Sequence, residues 1–374
     1  MIATNVNDDV QVYELGVSGD FSALSGSPPR SNYVRVWGDF LALMNQTSDA
    51  TKVSWCDTND ITNWSTGVSG SQIFPDGGVI QGSTNATNPI LFLENAIFYG
   101  TFIPGSSVAF TFTKLQDGIG AKSPYSIVSR GDYTFFADSG GFFQVLTSGQ
   151  ILPIGSEKVD RTAFGQLTFA EIQKIRGVID PFFTRVYFGA DFSGAGNIDQ
   201  IYIYDWALGQ WSRVERSILF HFPAATPGYT LEQLDNISAS TEDLPFSLDS
   251  RVWQGGGGVL GAFDSDNKLG FFNGSSMEAT LTTQEAGDTG GRMSTIRSVY
   301  PVIDASSSYV SIASRHGRSD SFSWSTEAVP SPNTGIARKR SRGKFHRVKV
   351  RIPAGDNWTH SQGVDVDSII TGRR

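Results

Sequence analysis

Five segments of the chain share one pattern, in which two short runs rich in Val, Ile, Phe, Tyr and Trp are joined by a polar or glycine-containing turn. Such runs favour β-strands, and Gly, Asn, Asp and Ser adopt the backbone conformations of tight turns. Each segment therefore predicts an antiparallel strand pair. The predicted pairs are 33–44 followed by 52–55, 90–102, 133–146, 185–188 with 201–204, and 259–273.

A sixth pair is predicted from residues 299–303 and 310–313. The pairs recur at intervals of a few tens of residues, which is the spacing of propeller blades joined by variable loops. Trp64 and Trp211 each follow a polar turn, where a large apolar side chain covers a strand edge. The fold class predicted is all-β, with a β-propeller-like body of repeated antiparallel hairpin units and a C-terminal β extension. A β-sandwich would place the tryptophans in the same way and stays an alternative.

Helical signals are few. Thr168 is a good N-cap for a two-turn helix over 169–175, and a second short helix is predicted at 230–234. Residues 231–248 are polar, acidic and contain Pro245, which predicts a long surface insertion.

Composition supports a folded β protein made in a reducing cytoplasm. The chain has 41 Gly and 26 Phe, and its aromatic fraction of 12% is enough to form a substantial core. Cys56 is the single cysteine, which excludes an intramolecular disulfide and a cysteine-based zinc cluster. We expect no secretory leader and no membrane helix, because no stretch approaches the ~18 apolar residues that a membrane helix requires.

The charge is unevenly distributed. Residues 1–275 carry 15 basic and 28 acidic side chains (15 − 28 = −13), and residues 276–374 carry the remaining 14 and 9 (14 − 9 = +5). We therefore predict two regions, a propeller-like body at 1–275 and a C-terminal β region at 276–374 that combines a closing blade with a basic strand for subunit contacts.

Catalytic patterns are scarce. The four histidines are far apart in sequence, and neither a nucleophile elbow nor a phosphate-binding loop is present. We predict a protein that is not an enzyme, with no catalytic residues, no cofactor and no bound metal. Residues 58–64 look like a sialidase blade turn, but they lack its glycine, are one residue short and have no second copy. Glycan binding by an aromatic surface is the alternative function, and glycoside hydrolysis is a weaker one.

The strongest local signal is a basic segment. No acidic residue occurs between Ala328 and Gly355, and residues 345–352 alternate between cationic and apolar side chains, which predicts a half-buried strand with a cationic face after a basic loop. This face would suit DNA phosphates or an acidic protein surface; a merely solvated face is the simpler alternative. The candidate interaction residues, for subunit or DNA contact, are Arg338, Lys339, Arg340, Arg342, Lys344, Arg347, Lys349 and Arg351.

The order of several segments resembles the tail-nozzle or tail-hub proteins of short-tailed bacteriophages, also called packaged-DNA stabilisation or head-to-tail joining proteins. The segments that carry this likeness are 36–40 leading to 53–55 and 60–64, 123–128 before 133–143, 201–211, and 343–365.

The resemblance implies a structural virion protein, made in the host cytoplasm and located in the tail. Its subunits would form a homo-oligomeric ring, expected to be hexameric, below the portal and adaptor and above distal tail proteins. Double-stranded DNA would pass through the channel without sequence-specific contacts, and no membrane is involved. The resemblance brings no catalytic residues with it.

Overall fold

The computed structural model describes residues 1–225, 229–235, 237–238, 240–244, 247–248, 253, 258–272, 275–287 and 291–372. The chain divides into two compact units, Met1–Phe272 (unit 1) and Asn273–Arg374 (unit 2). The division that the charge distribution predicts, after Ser275, lies nearby in the sequence. The protein is all-β, as predicted, and the helices among the described elements are single turns.

The described residues of unit 1 form six antiparallel sheets that follow one another along the chain, and within each sheet the strands pair in sequence order. Sheet 1 consists of β1 Ile2–Ala3, β2 Gln11–Val12 and β3 Ser22–Ala23. Sheet 2 consists of β4 Ser31–Trp37, β5 Phe40–Gln46, β6 Asp49–Trp55 and β7 Gly70–Ile73. Sheet 3 consists of β8 Ile80–Ser83, β9 Ile90–Leu93, β10 Ala96–Phe102 and β11 Phe110–Asp117.

The second half of unit 1 repeats this design. Sheet 4 consists of β12 Val128–Arg130, β13 Tyr133–Asp138, β14 Gly141–Leu146 and β15 Ile151–Pro153. Sheet 5 consists of β16 Arg176–Ile179, β17 Arg185–Ala190, β18 Ile198–Asp205 and β19 Gln210–Ile218. Sheet 6 consists of β20 Phe220–Ala225, β21 Gly258–Phe263 and β22 Leu269–Phe271.

The five strand pairs predicted in unit 1 are all present. They are β4–β5 with β6, β9–β10, β13–β14, β17–β18 and β21–β22. The last residue of the fifth segment, Asn273, lies outside the described residues. These pairs were predictable because the two strands of each pair follow one another closely in the sequence, so that local sequence specifies both of them.

Neighbouring sheets of unit 1 pack face to face through separate apolar clusters. Leu41 and Leu43 of sheet 2 pack with Ile2 and Val12 of sheet 1, in a cluster that includes Val10. Further along, Phe142 of sheet 4 stacks on Phe188 of sheet 5 with ring centroids 4.4 Å apart. Equivalent clusters join sheets 2 and 3, 3 and 4, and 5 and 6. A series of small antiparallel sheets, each packed on the next, is the propeller-like arrangement that the repeats predict.

The helices are shorter than predicted. Thr168 and Glu171 form a capping box, with the Thr168 amide donating to Glu171 Oε2 over 2.6 Å, but the helix ends at Ile172. The described helices are α1 Asp160–Ala163, α2 Phe169–Ile172 and α3 Leu231–Leu234, with 3-10 turns at Pro124–Ser126 and Thr241–Asp243. Several residues of the predicted insertion at 231–248, Pro245 among them, lie outside the described residues. No helix in the described part of the chain is long and apolar enough to cross a membrane.

In the part of unit 2 that the structure describes, two antiparallel sheets pack on each other. Sheet 7 consists of β23 Ala279–Thr282, β24 Ala286–Gly287, β26 Tyr309–Arg315, β27 Ser323–Trp324 and β29 Phe345–Ile352, and sheet 8 of β25 Met293–Ile303, β28 Ala337–Gly343 and β30 Ser361–Gly372. Val348 and Val350 of sheet 7 share one apolar cluster with Ile296 and Val299 of sheet 8.

Two expectations about unit 2 are wrong. The predicted sixth pair does not form, because β25 pairs with β28 and β30 while β26 pairs with β27 and β29 in the other sheet. The basic segment before β29 is not a loop either, since Ala337–Gly343 is the strand β28. Only Lys344 separates β28 from β29, so the chain passes from one sheet to the other at this point.

Candidate interaction surface

Strand β29 has the alternation that its sequence predicts. His346, Val348, Val350 and Ile352 are buried, and the residues between them are half-buried. The side chains of Arg347, Lys349 and Arg351 therefore share one face of sheet 7. In the register of β26 against β29, they lie opposite Ala313, Ser311 and Tyr309.

Aromatic rings of the same unit cover this cationic face. The guanidinium of Arg347 lies 4.8 Å from the ring centroid of Phe322, and Lys349 Nζ lies 4.6 Å from that of Trp324. Arg351 lies 4.3 Å from the centroid of Tyr309. Each contact has the geometry of a cation–π interaction, which is worth about 0.5–1 kcal/mol at exposed sites.

Carboxylates neutralise the end of this face. Arg351 donates to both carboxylate oxygens of Glu327, over 2.7 and 2.6 Å, and to Glu278 over 3.0 Å. These hydrogen bonds and charges raise the pKa of Arg351 and hold the pKa of Glu327 below its usual range. The charge of Arg351 is thus satisfied within unit 2.

Arg315 of β26 extends the same arrangement. Its guanidinium forms an ion pair with Glu285 and lies 4.6 Å from the centroid of Phe322 and 5.7 Å from that of Phe345. We call this set of alternating cations and rings the cation–aromatic ladder. Its members are Tyr309, Arg315, Phe322, Trp324, Phe345, Arg347, Lys349 and Arg351.

Strand β28 presents its arginines differently. Arg338, Arg340 and Arg342 are exposed on one side of the strand, whereas Lys339, half-buried, donates from Nζ to Thr326 Oγ1 over 2.7 Å. Among the described residues, none of the three arginines has an ion pair or a cation–π contact. We call them the arginine row. Lys344, half-buried at the crossing between the sheets, is not part of the row.

The strand beside the arginine row adds positive charge. Arg342 lies opposite Thr295 of β25 and Arg338 opposite Ser298, with the exposed Arg297 at a bulge between them. β25 contains no acidic residue. The nearest carboxylate in the register is Asp367 of β30, which lies opposite Ser298 on the far side of β25. The structure therefore separates six of the eight candidate residues into a covered group on β29 and an uncovered row on β28, and Lys339 and Lys344 belong to neither group.

A buried hydrogen-bonded chain connects the two sheets of unit 2. His346 Nε2 lies 2.8 Å from Ser294 Oγ, and its Nδ1 lies 2.7 Å from Ser314 Oγ, which contacts Ser341 Oγ at 2.5 Å. Burial lowers the pKa of His346. Ser294 and His346 line a cavity of about 450 Å³. A serine beside a histidine resembles a nucleophile and its base, but the third group is a hydroxyl, which carries no charge to stabilise an imidazolium.

The segment resembling a sialidase turn is held together by its own contacts. Asp60 Oδ1 accepts hydrogen bonds from the amide and the hydroxyl of Thr62, over 3.0 and 2.6 Å, and the indole of Trp64 donates to the carbonyl of Ile61 over 2.8 Å. These contacts engage the carboxylate of Asp60 and the indole N–H of Trp64 within the turn itself. Among the described residues, no group of three or more His, Cys, Asp or Glu side chains has the arrangement of a metal site.

Sequence reasoning missed the aromatic half of the ladder. Tyr309, Phe322 and Trp324 reach β29 through the pairing of β26 with β29 and of β27 with β26. No local signal in the sequence identifies these rings, because the pairing of β26 with β29 joins distant segments of the chain.

Comparison with known proteins adds no family. No family model and no curated protein matches the chain. Solved structures with some likeness include PorZ, a surface component of the type-IX secretion system of Porphyromonas gingivalis (10% identity, 78% of this chain, TM-score 0.36), and a Synechocystis apocarotenoid oxygenase (9%, 71%, 0.34). The matches cover 35% and 64% of those two chains. An exo-β-1,3-galactanase from Phanerochaete chrysosporium matches at 10% identity over 90% of this chain and 94% of its own, with a TM-score of 0.30. Likeness at this level carries no argument about function.

Proposed function

We propose that this chain is a structural virion protein that assembles into a homo-oligomeric ring in a bacteriophage tail, below the portal and adaptor, and provides a channel for genome retention and ejection. The support is the likeness of its segment order to tail-nozzle proteins, together with a propeller-like body. The protein acts by binding its neighbours and has no catalytic step.

The arginine row is the observation that carries this proposal. Three exposed arginines lie on one strand face without an ion pair in the described part of the chain, in a region whose net charge is +5. The preceding 275 residues have a net charge of −13. A cationic row on one subunit and an acidic body on the next are electrostatically complementary, which increases the rate of association and orients the partners.

An acidic protein surface suits the row better than DNA does. Asp367 shares the face of Arg338, and the exposed Asp365 lies two residues earlier on the same strand. DNA presents only negative phosphates, which these two carboxylates would repel. A neighbouring subunit has side chains of both signs, so acidic residues can face the arginines while basic residues face the carboxylates. A channel through which DNA slides also requires weak contacts with phosphate. We therefore assign the row to a subunit contact.

The test is the triple variant Arg338→Glu, Arg340→Glu, Arg342→Glu in the full-length protein. Assembly is measured by native mass spectrometry and by electron microscopy of negatively stained particles. We expect wild-type rings and a triple variant that stays monomeric at the same concentration. The control, Arg161→Glu with Lys174→Glu and Arg216→Glu, makes the same change of net charge at exposed positions of unit 1 and should still form rings.

DNA binding is measured on the same proteins by fluorescence anisotropy with a 30-base-pair duplex over a range of salt concentrations. Rings that persist in the triple variant, with a loss of duplex affinity and a smaller salt dependence, would assign the row to DNA instead. A wild-type protein that is monomeric and also fails to bind purified portal–adaptor complexes would contradict the ring altogether.

A further inference from the structure

A cavity of about 360 Å³ lies among the first strands of five successive sheets of unit 1. Its wall includes Arg35 of β4, Ser83 of β8, Arg130 of β12, Val178 of β16 and Pro223 of β20. These strands come from sheets 2 to 6, so the cavity lies where the repeated sheets converge. In propellers, such a position is the central channel.

Arg35 is a half-buried cation without a carboxylate partner in the described part of the chain. Its Nε donates to the carbonyl of Ser83 over 3.0 Å, and Nη1 donates to its neighbour's carbonyl, that of Val34, over 2.9 Å. Burial lowers the pKa of the guanidinium. Carbonyl oxygens orient the group but do not neutralise it, and an uncompensated cation removed from water favours binding of an anion.

Arg130 provides a second cation on the cavity wall. One of its terminal nitrogens, Nη1, donates to the carbonyl oxygens of Asp180 and Phe183, over 2.7 and 2.9 Å. The carboxylate of Asp180 also lines the cavity, but its oxygens are engaged. Oδ1 accepts from the amides of Phe182 and Phe183, and Oδ2 accepts from the hydroxyl of Tyr187 over 3.2 Å. The balance of the lining is one net positive charge.

Several donor groups remain uncommitted in the cavity. Within the described residues, Arg35 Nη2, Arg130 Nη2 and Asn85 Nδ2 make no hydrogen bond, whereas the acceptor Asn85 Oδ1 is occupied by the Val36 amide over 3.2 Å. The hydroxyl of Ser129 is also uncommitted. Uncommitted donors that line one cavity suit a ligand that consists mainly of acceptor oxygens.

We propose that this cavity binds a small oxyanion, that is, the carboxylate or phosphate group of a small molecule, between Arg35 and Arg130. A cavity of this volume holds about a dozen water-sized groups, which suits a compact polar acid rather than a polymer. The apolar parts of the wall, Ile127, Val178 and Pro223, would contact the carbon skeleton of such a molecule. This site is independent of the arginine row and of ring formation.

Titration calorimetry on the full-length protein tests the proposal, with inorganic phosphate and succinate as separate probes at constant ionic strength set with sodium chloride. We expect saturable binding of at least one probe. Arg35→Gln and Arg130→Gln should each weaken that binding about tenfold or more, since a hydrogen bond to a charged group is worth about 1.5–3 kcal/mol. The control Arg161→Gln removes an exposed arginine of the same unit and should leave the dissociation constant unchanged.

Hydrogen exchange of residues 127–130 and 176–180 in the wild-type protein, with and without the probe, provides a readout that does not depend on the variants being folded. Slower exchange in these segments supports the site. Binding of phosphate alone or of succinate alone would identify which oxyanion is held. The proposal is overturned if neither probe binds, or if the double variant Arg35→Gln, Arg130→Gln, shown to be folded by circular dichroism, binds as tightly as the wild type.

Discussion

The stability of unit 1 should fall in mild acid because of one buried histidine. His221 lies in β20 with 5% of its surface exposed, and its Nε2 lies 3.1 Å from the carbonyl oxygen of Arg176 in β16. That contact makes Nε2 the donor and leaves Nδ1 unprotonated. Nδ1 is buried and has no hydrogen-bond partner. A second proton would therefore place an unpaired charge in the interior.

Burial lowers the pKa of His221 to about 4, from an ordinary value of 6.5, and the charge of Arg176 acts in the same direction. Between these two values the unfolded chain binds more protons than the folded one, so the free energy of unfolding decreases as the pH falls. For one group with these pKa values, linkage gives a loss of about 2 kcal/mol between pH 7.5 and pH 5. The loss is complete, at about 3 kcal/mol, below pH 4.

The measurement is urea unfolding at pH 7.5 and pH 5, followed by tryptophan fluorescence and circular dichroism, for the wild type and for His221→Gln. Gln retains a donor toward the Arg176 carbonyl but does not titrate. Because carboxylates titrate over the same range, the relevant quantity is the difference between the two proteins in their pH-induced change. We expect this difference to be about 2 kcal/mol. The exposed histidine variant His316→Gln should retain the wild-type loss. Equal pH dependence in the wild type and His221→Gln would refute the reasoning.

Two further substitutions in unit 1 have opposite expected signs. Burial raises the pKa of Asp160 from 3.8 to about 6, so the free energy of unfolding decreases as the pH rises between these two values and stays lowered above them. Asp160→Asn keeps an acceptor for the Phe142 amide, which lies 3.2 Å from the Asp160 carboxylate. This variant should raise the urea midpoint at pH 7.5 by the equivalent of about 1 kcal/mol, with little gain at pH 4. A midpoint unchanged at both pH values would contradict this expectation. Gly177→Ala should destabilise unit 1 by about 1–3 kcal/mol, because the added Cβ would lie 2.8 Å from the carbonyl oxygen of Ser126. A thermal melt measures this loss. An unaltered melting temperature would contradict the expectation and show that the backbone shifts without cost.

Sequence alone was sufficient for hairpins and insufficient for pairings between distant segments. The turn at Asp138–Gly141 joins β13 directly to β14, so that alternation and turn chemistry specify the pair. By contrast, residues 299–303 and 310–313 are close in sequence but belong to different sheets. β25 is an eleven-residue strand whose partners, β28 and β30, lie tens of residues further along the chain. No local feature of the sequence indicates that β25 pairs with these distant strands and not with β26, which follows it directly.

The strand β28 was missed because its inner face is polar. Its buried ends are Ala337 and Gly343, and between them the inward residues are Lys339 and Ser341 instead of apolar side chains. Ser341 is tolerated there because it joins the hydrogen-bonded chain through Ser314 to His346. Lys339 is tolerated because its ammonium donates a hydrogen bond to Thr326 Oγ1. A strand whose inner face is satisfied by hydrogen bonds lacks the apolar period that marks strands in a sequence.

Local sequence patterns also could not show which residues of the candidate surface are already in contact with other groups. This decides which residues a charge-reversal experiment should use. The alternation of β29 placed Arg347, Lys349 and Arg351 on one face, as the structure has them, but it could not show that rings and carboxylates already occupy that face. Arg351→Glu would place a carboxylate beside Glu278 and Glu327. Arg347→Glu would remove the contact between the guanidinium and the ring of Phe322. Loss of assembly in such a variant would report damage to unit 2 itself. Reversal of Arg338, Arg340 and Arg342 breaks no ion pair or ring contact in the described part of the chain, so loss of rings there would report the interface.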